Sequence, residues 1–200
     1  MDYSGNGNKG TLTGMVSPST PTSGWNPGRL GKALSFDGSN DYVDLPSAPV
    51  SSGSISVVAW VKSSNLSGGA SAVGRGIAKS YTTEGNTGNW FFGVQPNGAI
   101  SFSHWSDSLR RITDAGLITI NQWYHIVMIW NGTAGSPYIN GKAVSFTGTG
   151  SLGSGWGSEH VIGRAYADSA YQFNGLIDEV RIYNRALSAG EVLNLYNSGR

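Results

Sequence analysis

The sequence predicts an all-β domain, a two-sheet antiparallel β-sandwich with one short C-terminal helix. Three observations point there. Apolar residues alternate with polar ones over short runs, the period of a strand with one buried face. Asn-Gly pairs, Asn97-Gly98 and Asn140-Gly141, stand between such runs and readily take the positive φ that tight hairpin turns demand. A capped helical pattern occurs once, at the end of the chain. The 30 Gly agree with this, because glycine weakens helix interiors and suits turns.

At 200 residues the chain suits a single sandwich spanning residues 1–200. Apolar residues make up 38%, and 7 Trp, 9 Tyr and 6 Phe supply large side chains for a core. Only 12% of residues are charged and the formal net charge is +1, so neither nucleic acid nor anionic lipid is an expected partner. Without cysteine there is no disulfide frame and no thiolate metal site. No stretch reaches the ~18 consecutive apolar residues of a membrane span, so membrane insertion is not expected. The N-terminus carries no basic-then-apolar signal, which leaves an intracellular chain or one whose leader was removed.

Taken in order, Asp2 to Gly28 is rich in Gly, Ser, Thr, Asn and Pro and reads as part of a loop-rich wrap over 1–30, with one short strand near Thr11 to Thr13. Leu34 with Phe36, and Val43 with Leu45, mark two short strands around Asp37-Gly38-Ser39-Asn40-Asp41. In Ser54 to Lys62, Ile55, Val57, Ala59 and Val61 share one face while Val58 and Trp60 share the other, which predicts a central strand buried on both sides. Asn89–Val94 and Ala99–His104 form a hairpin around Gln95-Pro96-Asn97-Gly98. Trp123–Trp130 is almost continuously apolar, and Tyr138-Ile139 turns at Asn140-Gly141 into Lys142–Phe146 as a second hairpin. His160–Arg164 and Phe173–Tyr183 add late strands, the last breaking alternation near Asp178 as a bulge would. Ser188-Ala189-Gly190-Glu191 is a capping box, Val192 and Leu195 give an apolar stripe and Gly199 a stop, so a helix of one or two turns is expected.

Four segments together carry a family resemblance: Asp2 to Leu12, Gly31 to Val43, Ser56 to Lys62, and Phe173-Asn-Gly-Leu-Ile-Asp-Glu-Val-Arg-Ile-Tyr-Asn-Arg-Ala-Leu-Ser188. They resemble the laminin-G-like jelly-roll family of the concanavalin A-like lectin and glucanase superfamily. Trp123 to Val127 and Tyr138 to Lys142 fall where that family has its central strand and hairpin. The resemblance implies a jelly roll with one concave sheet, as in many sugar-binding modules, and does not by itself imply a ligand. Members of the family usually begin with a further strand that ends in an acidic residue, and that strand is not found here.

Calcium is the first candidate ligand, since it takes six to eight oxygens from carboxylates, amide carbonyls and backbone. The loop containing Asp37, Gly38, Asn40 and Asp41 is dense in such oxygens. The resemblance implies that Asp178 is similar to an acidic position that often serves a structural calcium, with the backbone of Gly38 as a second ligand. Turn hydrogen bonds explain the same letters, as Asx residues make them routinely.

Sugar binding is the second candidate, because sugars present apolar C–H faces beside hydroxyls and want an aromatic platform next to planar polar groups. One region holds Tyr81, Glu84, Asn86, Asn89 and Trp90, and another holds His104, Trp105, Asp107, Arg110 and Arg111. Tyr166, Asp168 and Tyr171 are expected to close the rim. Trp60, Trp123 and Trp130 read as core. Trp90 is in phase with Phe92 and Val94, which favours the core for it too, whereas Trp105 alternates with Ser101 and Ser103 and should face outward. Arg75 and Arg164 flank strand ends, where lone arginines usually contribute little. His125 reads as a hydrogen-bonded core residue, and no His pair has metal spacing.

Catalysis is the rival class. Glucanases of this fold set two carboxylates at alternate positions of one strand, about 5 Å apart. None of Glu84, Glu159, Glu179 and Glu191 has an acidic partner two or four residues away, and Asp178 and Glu179 are adjacent and point to opposite faces. No Gly-x-Ser-x-Gly elbow is present. The expectation is a non-catalytic, lectin-like carbohydrate-binding module of a longer extracellular or particle-surface protein. A structural or adhesive protein-interaction domain without a sugar ligand is the alternative.

Overall fold

A computed structural model describes residues 5–46, 53–68, 74–81, 90–104, 110–148, 159–165 and 169–199. The first strands are β1 (Thr11–Thr13), β2 (Gly24–Pro27), β3 (Lys32–Asp37), β4 (Tyr42–Leu45) and β5 (Ile55–Ser63). There follow β6 (Arg75–Tyr81), β7 (Trp90–Val94), β8 (Ile100–His104), β9 (Arg110–Thr113) and β10 (Tyr124–Trp130). The last are β11 (Gly135–Ile139), β12 (Lys142–Ala143), β13 (Phe146–Thr147), β14 (Glu159–Ile162) and β15 (Asn174–Tyr183), and helix α1 (Ala189–Ser198) closes the chain.

They form two antiparallel sheets, one in the order β1-β4-β14-β6-β7-β8-β9-β13 and the other β12-β11-β10-β5-β15-β3-β2. The layers meet over one core, to which Phe36, Val57, Val61 and Ile126 come from the second sheet and Phe92, Val94 and Phe102 from the first. As its two-sided apolar pattern predicts, β5 is central, lying between β10 and β15. Its other face, with Val58, packs against Leu187 and Val192 of the C-terminal segment, together with Val127 and Ile129. That burial explains why α1 runs ten residues, nearly three turns and longer than the expected one or two. Its capping box is formed: Ser188 Oγ accepts from the Glu191 N–H, and the Ser188 N–H donates to Glu191 Oε2 at 2.8 Å.

Both expected hairpins are present, with different turns. At Asn140-Gly141 both residues have positive φ, 50° and 78°. At the other, Gly98 alone does, and its N–H donates to the Gln95 carbonyl at 2.9 Å, closing a turn one residue longer than a bare Asn-Gly pair. The break near Asp178 is a bulge, with register shifting between Asp178 and Arg181 and Glu179 at φ 49°. The N-terminal wrap holds a strand that its composition concealed: β2 pairs with β3, Trp25 opposite Leu34.

Candidate functional site

The site is built on one end of the eight-stranded sheet. Tyr81 ends β6 opposite Glu159, the first residue of β14. Trp90 begins β7 opposite Ser80 on one side and His104, the last residue of β8, on the other. Arg110 begins β9 opposite Ser103. Sheet pairing therefore gathers Tyr81, Trp90, His104 and Arg110 from four strands, and the strand ends adjacent in sequence to Asn89 and Trp105 share that end. Asn89, Trp105, Asp107, Tyr166 and Asp168, with Glu84 and Asn86, lie outside the described residues. Trp90 itself is no platform: it is 2% exposed and stacks on Phe102 in the core, as its phase with Phe92 requires.

The outer face of this sheet carries a charged network that sequence reasoning missed. Ala78 joins the core cluster, so its neighbour Lys79 projects outward, where it lies between Val161 and Phe91 in register. Lys79 Nζ is 2.9 Å from Glu159 Oε2, and Arg164 Nη2 is 2.6 Å from Glu159 Oε1. The Arg164 guanidinium lies 3.6 Å from the centroid of the Tyr42 ring. Burial pushes the Glu159 carboxyl up, but its bonds to Lys79 and Arg164 outweigh that and hold it below the usual range. Burial lowers the Lys79 ammonium in turn. Arg164 is therefore no lone surface arginine, and the sequence signal for it is Glu159, five residues away. Arg75 is likewise no lone surface group but is buried, donating to the carbonyls of Ser67 at 2.8 Å and Gln172 at 2.6 Å.

The four candidate calcium ligands do not converge. Asp178 sits four residues along β15 from Asn174, which pairs with Asp37, a separation of about 13 Å along the strand. Its Oδ2 accepts from the N–H groups of Arg29 at 2.8 Å and Leu30 at 2.9 Å, and its Oδ1 from Glu179 at 2.9 Å. It anchors the β2–β3 loop. Asp37 Oδ1 accepts from Ser39 at 2.7 Å, closing an Asx turn around Gly38. Asp41 is buried and accepts from the Asp37 N–H at 3.1 Å; burial, the largest influence, raises its carboxyl and leaves Oδ1 without a hydrogen-bond partner. Asp37, Gly38 and Asp41 thus share one turn, but with Asp178 elsewhere the residues named do not fit a single calcium cage. Among the described residues no three His, Asp or Glu side chains gather as metal ligands.

His125 is core, 1% exposed, but is not hydrogen-bonded at Nδ1 as expected; it packs against both Trp60 and Tyr196, with ring centroids at 5.3 and 5.9 Å, and those two rings stack on each other at 5.7 Å. Asp178 and Glu179 do not act as a carboxylate pair, since Glu179 Oε2 is 2.6 Å from Arg181.

The two antiparallel sheets packed over one core form a jelly-roll sandwich. The family model of the concanavalin A-like lectin/glucanases superfamily matches residues 37–193, and the chain belongs to that family. Domain 4 of AbnA, a GH43 extracellular arabinanase from Geobacillus stearothermophilus, solved in complex with arabinotriose, is similar at 26% identity and TM-score 0.72, over 98% of this chain and 91% of that one. The binding domain of Paraclostridial Mosquitocidal Protein 1 superposes with TM-score 0.71 at 20% identity, over 98% of this chain and 49% of that one. The binding domain of botulinum neurotoxin DC in complex with rat synaptotagmin II gives 0.68 at 17%, over 100% and 49%. The chain spans about half of these toxin domains, and at such identities the likeness concerns the fold alone. No curated protein sequence gives a significant match.

Proposed function

We propose that the chain is a non-catalytic carbohydrate-binding module of a larger extracellular or particle-associated protein. The observation that carries this reading is the near end-to-end similarity, at 26% identity, to an arabinanase domain solved with arabinotriose. The sheet end supports it: β6, β7, β8 and β9 bring their ends together there, and Trp105, the expected stacking platform, is the next residue in sequence after β8. Affinity for a single site of this kind is modest, because stacking and a few hydrogen bonds must offset the cost of ordering the sugar. A glycan array probed with wild type and Trp105→Ala tests the reading. The expected result is binding of oligosaccharides, arabinotriose among them, that the substitution weakens at least tenfold. A wild-type array at background would favour a structural or adhesive domain instead.

A further inference from the structure

The order of exposure within the outer-face network bears on what a ligand meets there. Glu159 is the accessible member, its side chain 34% exposed, against 17% for Arg164 and 4% for Lys79. Both cations lie behind the carboxylate and bond to one oxygen each, and a carboxylate has about four acceptor positions. Lone pairs therefore remain on the solvent side, held against two cations, of which Arg164 also packs on the Tyr42 ring. Asp44 is exposed and in register with Val161, on the same face. Among the described side chains of this face, the exposed charges are thus acidic.

Resting on the carbohydrate-binding reading, we infer that this face takes neutral, hydroxyl-rich sugars and discriminates against carboxylated or sulfated ones, with Glu159 accepting hydrogen bonds from ligand hydroxyls. A neutral sugar donates O–H groups to the free acceptor positions of Glu159. An anionic sugar brings a like charge toward Glu159 and Asp44 in a partly desolvated setting, and the pairing that would compensate is already engaged within the protein.

The test is a glycan array of neutral pentose and hexose oligosaccharides beside uronate, sialylated and sulfated counterparts, followed by titration calorimetry with galactotriose and trigalacturonate, which differ in the oxidation of C6. Neutral glycans are expected to bind at least tenfold more tightly than acidic ones. Glu159→Gln, checked for an intact thermal transition, is expected to weaken the neutral ligands about tenfold. Asp44→Asn, exposed and outside the ion network, is expected to narrow the gap between the two classes. Equal or tighter binding of acidic glycans, or neutral binding unmoved by Glu159→Gln in folded protein, overturns this inference and leaves the carbohydrate reading standing. An array silent for every glycan overturns both.

Discussion

Individual side chains here answer to their environment more than to their type. His125 shows it: burial first, and then the nearby Arg181 charge, push its imidazole down to about 4. In the unfolded chain its pKa is about 6.5, so below that pH the unfolded state binds the proton that the folded state refuses. Its contribution to stability is complete above about pH 6.5 and is lost as pH falls toward 4, to a limit of roughly 3 kcal/mol. His160, also lowered by burial, adds a slope of the same sign. His125→Phe, which keeps a ring against Trp60 and Tyr196, is expected to flatten the dependence of urea midpoint on pH between 6.5 and 4. An unchanged slope would show that the imidazole is not the group responsible. Asp178 teaches the same lesson. Its letter suits a metal ligand, yet three backbone N–H groups surround it, one local and two from a loop about 149 residues earlier in the chain.

At the scale of elements, turns and helix ends fix how the pieces lock together. Gly141 has φ 78°, and a Cβ built there would stand 3.1 Å from Leu193 and Tyr196 of α1, so the β11–β12 turn and the helix constrain each other. Gly141→Ala is expected to cost roughly 1–2 kcal/mol through the left-handed backbone alone and to lower the melting temperature by a few degrees. A variant that melts with wild type would mean that the turn relaxes freely. Elements with clean periodicity were legible in the sequence: β5 by its two apolar faces, the hairpins by Asn-Gly, and α1 by Ser188 and Glu191. Strand β6 was not, although it lies in the middle of its sheet, because Lys79 interrupts the apolar pattern and its partner Glu159 is remote in sequence. The gathering of Tyr81, Trp90, His104 and Arg110 was readable as two loop-rich clusters, but their shared sheet end follows from pairing that no local pattern encodes. The Glu159 network was hidden for the same reason.

For the molecule as a whole, both sheets contribute to one large cluster, Phe36 and Val61 from one and Phe92 and Val94 from the other, while the seven-stranded sheet packs a second, smaller cluster against the C-terminal segment. A single calorimetric transition is expected, with van't Hoff and calorimetric enthalpies in agreement. Two resolved peaks would contradict the single sandwich over residues 1–200. The helix bears on how such a module is used. Because α1 seals the back of the seven-stranded sheet over Val58, Val127 and Ile129, that side is closed, and the proposed sugar site belongs to the other sheet. The chain contains no cysteine, so Asn194→Cys, at an exposed position on that rear helix, makes a unique handle for a dye or a tether. A fluorophore or surface attached there leaves the proposed binding side unobstructed, and the protein becomes an oriented probe.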